Sequence, residues 1–414
     1  MNHKFRVFLG GIVVVLSALI TSPQAEAHGE RNQEPYLRMR TVHWYDVRWS
    51  TDKIEVNDEI VVTGKFRLFD DWPSTIPLPD TAFLGNATPG PVLVRMASYI
   101  NGVPMIQSTG LAIDRDYEFK VILKARIPGR HHVHPMLNIQ GAGGLVGPGK
   151  WVRVAGSADD FVFPVTTLTG EKIANLETWG VNTVVTWHLV WVAIALFWIV
   201  WWVRRPLLIP RYLAVQAGAE EVLITGADRK LAAGLLVGTI LLVIAGYQWA
   251  EAKYPRTIPL QGGKVKVEPL PKSSETIRVK LEKANYDVPG RSMKMRLKVT
   301  NDTHRPVQLG EFTTANVRFI NPRAPAAMAA LDPGYPRDLV ATSGLRVDHD
   351  GAIAPGETRS LRVEATDVAW ETERLTSLLN DPDSRFGALL FFYDGRANRY
   401  IAGVNGPIIP TFVR

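Results

Sequence analysis

The sequence predicts a mainly β protein in which two β-sandwich domains are joined by two transmembrane helices. Three observations carry that expectation. Residues 28–178 alternate β-prone runs with turn clusters, residues 251–414 repeat the same texture, and two long apolar stretches lie between them.

In the first domain the runs are DEIVVTGKFRLF from Asp58, PVLVRMASYI from Pro91 and YEFKVILKARIPG from Tyr117. They are rich in β-branched and aromatic residues, as strands are. DDWPSTIPLPD and NATPGP separate them with residues that favour turns. The last domain carries ETIRVKLEKANYDV, SMKMRLKVTN, TANVRFI, GETRSLRVEA and RFGALLFFYDG. One helical segment is expected there, near Val368 to Leu379. No sequence repeat links the two domains.

Val184 to Val203 is an apolar stretch of about 30 Å at about 1.5 Å per residue, one bilayer core. Trp198, Trp201 and Trp202 crowd its end, and Arg204 and Arg205 follow. Leu231 to Tyr247 is preceded by Arg229 and Lys230. The predicted division is one membrane helix over 179–204, a loop over 205–230 and a second helix over 231–250. Basic residues at both ends of the loop place it in the cytoplasm and both large domains outside. His188, inside the first stretch, is expected to be a neutral histidine bonding a neighbouring helix, although an ionisable residue at such depth is also a functional candidate.

The first residues agree with that topology. Lys4 and Arg6 precede the apolar run Gly10 to Ile20, and Ala25 and Ala27 stand at the two small positions before a cut. Residues 1–27 therefore read as a cleaved signal peptide, the alternative being an uncleaved anchor. Cleavage after Ala27 makes His28 the first residue of the mature chain.

Composition narrows the chemistry. The chain has 46% hydrophobic and 21% charged residues, which speaks against wholesale disorder. Its formal charge of +7 is not gathered into a basic block, so no nucleic-acid partner is expected. It has no cysteine, which removes disulfides, thiolate zinc sites, iron–sulfur clusters and blue-copper centres.

Three of the nine histidines fall in IPGRHHVHPMLNIQGAGG. If that segment opens a strand, residues two apart project together, so His132 and His134 share a face and His131 points away. Alone, His-x-His could equally be an exposed or hydrogen-bonded pair. With a mature N-terminal His28 it gains a second component, because the α-amine and ring of His28 can chelate one metal that two imidazoles complete. A planar set of four nitrogens suits copper, whereas zinc prefers a tetrahedron. Glu30 is near enough to His28 to support it, although a glutamate so placed is more often simply a solvated charge. His43 has no histidine neighbour in sequence and is expected to be a satisfied polar contact. His304 and His349 are isolated.

AHGERNQEPYLRMRTVHWYDV, GRHHVHPMLN and the two spans between β-rich domains resemble the B subunits of particulate methane monooxygenase and ammonia monooxygenase. The resemblance extends over essentially the whole chain. It implies cupredoxin-like periplasmic domains on a bacterial inner or intracytoplasmic membrane. It also implies packing against membrane subunits A and C in a trimer of heterotrimers, and copper held by His28, His132 and His134. The implied reaction is oxidation of methane to methanol with dioxygen, or of ammonia in the near relatives. The family also has a copper site at the position of His43 in some members; its partner histidine aligns near Arg67 here, so the resemblance does not carry that site over. A rival centre lies among membrane helices of the C polypeptide. Three roles stay open: a copper protein of the complex that takes part in oxygen activation, a scaffolding or copper-supplying component, and a free-standing copper protein, which the two spans disfavour.

Overall fold

The computed structural model describes residues 33–167, 170–254, 263–272, 276–380 and 383–412. The segment 1–27, His28 and Glu30 lie outside them. The chain divides into two compact units, Met1–Phe161 with Leu260–Arg414, and Val162–Pro259.

In the first unit a short helix, α1 (Pro35–Arg40), leads into β1 (Val42–Trp49), β2 (Lys53–Glu55) and β3 (Glu59–Leu68). There follow β4 (Ala82–Ala87), β5 (Leu93–Ile100), β6 (Val103–Pro104) and β7 (Arg115–Ala125). The domain ends with β8 (Gly129–Ile139), β9 (Gly143–Val146) and β10 (Lys150–Ala155). One sheet runs β1-β3-β7-β5-β6; the other runs β2-β10-β8-β4, with β9 also on β8. The core is aromatic. Trp44 meets Phe119 edge-on at 5.0 Å and Phe66 at 5.3 Å, and Phe66 stacks on Tyr117. Each such side chain, buried, contributes about 1.5–3 kcal/mol.

The second unit holds a two-stranded hairpin, β11 (Val165–Thr166) with β12 (Lys172–Ile173), and the two long apolar helices. These are α2 (Val181–Val203) and α5 (Gly226–Lys253), joined through α3 (Ile209–Gln216) and α4 (Glu220–Leu223). Both long helices exceed the expected apolar runs. α2 starts after Gly180, which takes a left-handed conformation, and α5 starts at a capping box in which Thr225 and Asp228 bond each other's backbone N–H. The connection is thus largely helical. The bond that His188 makes is within its own helix: its Nδ1 donates to the Val184 carbonyl at 2.7 Å. A polar side chain in an apolar helix can satisfy itself on the carbonyl one turn back.

The chain re-enters the first unit across the first domain. Val265 N donates to Ser108 O, Leu270 N to Asp116 O, and Lys264 Nζ to Asp80 O. The second domain then forms from β13 (Ile277–Asp287), β14 (Ser292–Asn301), β15 (Val307–Thr314) and β16 (Val317–Ile320). After α6 (Pro325–Ala329) come β17 (Val340–Ala341), β18 (Leu345–Val347) and β19 (Thr358–Thr366). Helix α7 (Ala369–Thr372) precedes β20 (Arg385–Asp394), β21 (Arg399–Pro407) and β22 (Ile409–Thr411). Its five-stranded sheets run β18-β19-β14-β13-β22 and β17-β16-β15-β20-β21. The helix expected over Val368 to Leu379 is broken at Arg374, whose φ is positive, and resumes as a 3-10 turn.

The two domains share a core. Tyr45 and Phe69 of the first pack with Ile320, Leu389, Phe391 and Tyr393 of the second. Gly387 lets β20 approach closely, since a Cβ there would lie 2.5 Å from the Met39 carbonyl oxygen and from Phe69. Ion pairs Arg40–Asp383, Arg385–Asp71 and Arg399–Asp46 frame this seam. Asp46 reaches it because a bulge in β1 puts its backbone at φ 54, a conformation aspartate tolerates.

Candidate metal centre

Along β8, Val133, Leu137 and Ile139 turn into the first domain's core. Alternation sends His132 and His134 to the opposite face, as expected. That face is nonetheless closed over them: His132 is 6% exposed and His134 2%. The cover comes from the chain that pairs with β8. β9 ends at Val146 and β10 begins at Lys150, so Gly147-Pro148-Gly149 interrupts the ladder. Proline offers no N–H to a ladder, and the flanking glycines let the loop lie close to its neighbours.

The loop meets the imidazoles directly. Gly147 N donates to Pro135 O at 2.8 Å, and Gly147 O accepts from His134 Nδ1 at 3.0 Å. Gly149 lies against both rings; a Cβ there would come within 2.6 Å of His134 Nδ1 and 2.7 Å of His132 Cε1. The carbonyl of Gly147 fixes the His134 tautomer, because the nitrogen facing it must carry the proton. Nε2 of His134 is then the one with a lone pair, and it points to His132 Nδ1 at 2.9 Å. The rings cross nearly perpendicularly, with centroids 4.4 Å apart. Trp151, opposite His132 on β10, flanks that ring at 4.8 Å, and the Arg130 guanidinium covers the indole.

Two ring nitrogens 2.9 Å apart fit adjacent positions on one copper ion: at about 2.0 Å per bond and a right angle, neighbouring ligands are about 2.8 Å apart. His134 also has the outer hydrogen bond that usually orients a metal-bound imidazole. Among the described residues no third His, Asp or Glu joins the pair. The Gly-Pro-Gly loop, Trp151 and the tautomer-fixing carbonyl escaped the sequence reading. GLVGPGKW, directly after the histidine strand, is the signal that could have found them.

The remaining histidines sit apart. His131 Nε2 donates to Ile127 O at 2.9 Å. His43 is buried, with Nε2 donating to Met39 O at 2.6 Å and its ring against Phe69 at 4.5 Å. Burial, with a smaller push from Arg67, lowers its pKa to about 4. Arg67 stands opposite His43 across β1 and β3, and forms a two-point bond with Asp116, which also accepts from the Tyr45 hydroxyl. His304 and His349 are exposed.

Residues 29–412 match the family of monooxygenase B-subunit proteins. The chain is 46% identical over 406 residues to the particulate methane monooxygenase alpha subunit of Methylococcus capsulatus (Bath), covering 98% of this chain and 97% of that one. Among solved structures, the cupredoxin domain of amoB from Nitrosocaldus yellowstonii aligns at 18% identity and a TM-score of 0.24, over 29% of this chain and 91% of that one. The adhesin InvE of Yersinia pseudotuberculosis aligns at 8% identity and 0.17, over 88% and 58%. At those scores neither structure bears on the fold. The family match spans both β domains and the two apolar helices between them, and the chain belongs to the monooxygenase B-subunit family.

Proposed function

We propose that this chain is the copper-binding subunit of a membrane-bound monooxygenase complex that oxidises methane to methanol with dioxygen. His28, His132 and His134 hold the metal. The observation that carries the reading is the buried pair of ring nitrogens, 2.9 Å apart, with His134 locked by the Gly147 carbonyl.

Gln33 adds support for His28. Its side chain bonds the backbone of Gly144 and Val146, immediately before the loop that covers the pair. His28 is five residues earlier, a reach of at most about 17 Å. Copper there supplies one-electron chemistry toward dioxygen. The chain's part is to direct the lone pair of neutral His134 to Nε2, exclude bulk water with Gly149 and fix the angle between the rings. The methane assignment leans on the 46% identical relative. The proposed partners are the A and C membrane polypeptides in a trimer of heterotrimers, with both large domains periplasmic and α2 and α5 in lipid.

Copper analysis of the purified complex tests this. The double variant His132→Ala, His134→Ala should lose the first-domain copper and most turnover. Turnover that persists without that copper would make the chain a scaffold for chemistry elsewhere. Adding one residue before His28 should weaken binding, because the amine becomes an amide. Acid should release copper as imidazole and amine protonate, near about 6.5 and 7.7–8.0 respectively when free.

A further inference from the structure

The outer face of the second domain carries a row of cations that the fold does not neutralise. In the sheet β18-β19-β14-β13-β22, the middle strand β14 buries Met293, Met295, Leu297 and Val299 and presents Lys294, Arg296 and Lys298 outward. Register places Lys283 of β13 and Arg362 of β19 directly opposite Arg296 on its two sides. Arg346 of β18 stands opposite Glu364, two residues along from Arg362.

Lys294 shows how this sheet neutralises a cation when it does: its Nζ lies 2.9 Å from Asp287 and 3.8 Å from Glu364. Among the described residues, Lys283, Arg296, Arg346 and Arg362 have no carboxylate within the 4.0 Å of an ion pair. Like charges directly opposite one another destabilise a sheet. Lys283, Arg296 and Arg362 thus make a continuous positive strip across three strands, which a bound anion would stabilise.

The row lines a groove of about 490 Å³, to which Asn285 adds an amide. Asp348 and Glu364 also line it, so five cations face two carboxylates, one of them already engaged by Lys294. Adjacent strands are about 4.8 Å apart. The two guanidinium groups of Arg296 and Arg362 therefore suit oxygens spread over a few ångströms, and their planar forks match phosphoryl oxygens at two points each. The volume admits a small polyanion rather than a protein surface. We infer that Lys283, Arg296, Arg346 and Arg362 form a binding site for a ligand bearing phosphoryl groups, supplied either as a free phosphate compound or as a phospholipid headgroup.

The test uses the assembled complex in phosphatidylcholine nanodiscs, titrated with inorganic pyrophosphate by calorimetry. Saturable binding that weakens with salt is expected, reduced at least about tenfold in the double variant Arg296→Gln, Arg362→Gln. Lys280→Gln with Lys298→Gln, one row away, should leave it within about twofold. If the headgroup is the natural ligand, nanodiscs containing phosphatidylglycerol will compete and lower the pyrophosphate affinity; unchanged affinity assigns the site to a free phosphate compound. In unmodified protein, pyrophosphate should slow phenylglyoxal labelling of Arg296 and Arg362, which keeps the idea testable if the variants fail to fold. No saturable binding, equal binding by the double variant, or unprotected arginines would overturn it. So would displacement by polyglutamate as readily as by pyrophosphate.

Discussion

His134 Nε2 lies 2.9 Å from His132 Nδ1 while the opposite nitrogen of His134 donates to the Gly147 carbonyl, so one loop orients the pair that the strand brings together. The strand supplies the common face, and the loop supplies the tautomer and the cover. Under the proposed copper role, perturbing the loop should therefore affect metal binding without replacing either histidine.

Gly149→Ala is the direct probe. Its Cβ would fall within van der Waals distance of both imidazoles, where over-packing typically costs about 1–3 kcal/mol. Copper content should fall while the β fold survives, read by metal analysis beside circular dichroism. Full occupancy in the variant would show that the loop does not constrain the pair.

The strands were legible because runs of β-branched and aromatic residues stand between clusters of turn residues. β3 and β5 fall within two runs picked out by composition, β7 starts two residues before a third, and β13, β14, β16, β19 and β20 lie within or across five more. The shared face of His132 and His134 follows from the period of two along a strand. Burial of that face did not follow, because it depends on a Gly-Pro-Gly loop arriving from the neighbouring strand. The fusion of the two domains was equally hidden: Arg399 and Asp46 are 353 residues apart, and no local pattern links them.

His43 predicts an acid limb in stability. Its folded pKa is lowered from 6.5 to about 4, by burial first and Arg67 second, against the opposing bond to Met39. Between those values the unfolded chain binds a proton that the folded chain refuses. Stability therefore falls as pH drops below about 6.5, by about 3 kcal/mol in all when pH reaches about 4. His43→Gln, which can still donate to Met39, should flatten this limb in denaturation curves taken across that range. An unchanged limb would move the acid sensitivity to other groups.

Asp46 and Arg399 predict coupling between the domains. The carboxylate accepts from both terminal nitrogens of the arginine, and that bond holds the Asp46 pKa low, against the opposing effect of its burial. Its contribution is thus present above the unfolded aspartate value and lost as pH falls through the lower folded one. Asp46→Asn keeps a residue that tolerates positive φ, so it isolates the charge. With both side chains about a third exposed or less, the loss should be about 1 kcal/mol at neutral pH. A double-mutant cycle with Arg399→Gln should give the same coupling; strict additivity would mean that the pair does not bind the domains.

Asp228 ties the two apolar helices together at one end. Its carboxylate accepts from Trp201 Nε1 at 2.8 Å and from Arg205 at 2.9 Å, both at the end of α2, while closing the capping box with Thr225 at the start of α5. One side chain thereby caps the start of α5 and holds two side chains from the end of α2. Asp228→Ala removes the acceptor for four donors, Trp201 Nε1, Arg205 Nη2 and the backbone N–H and hydroxyl of Thr225, and leaves Arg205 without its carboxylate. Amide exchange in the first turn of α5 should quicken about tenfold, and α3 should become more open to protease in proteoliposomes. Asp228→Asn, which retains an oxygen for the cap but not the charge, should recover much of the exchange protection. If both variants exchange like the parent, the packing of α2 on α5 holds this end without help from the polar cluster.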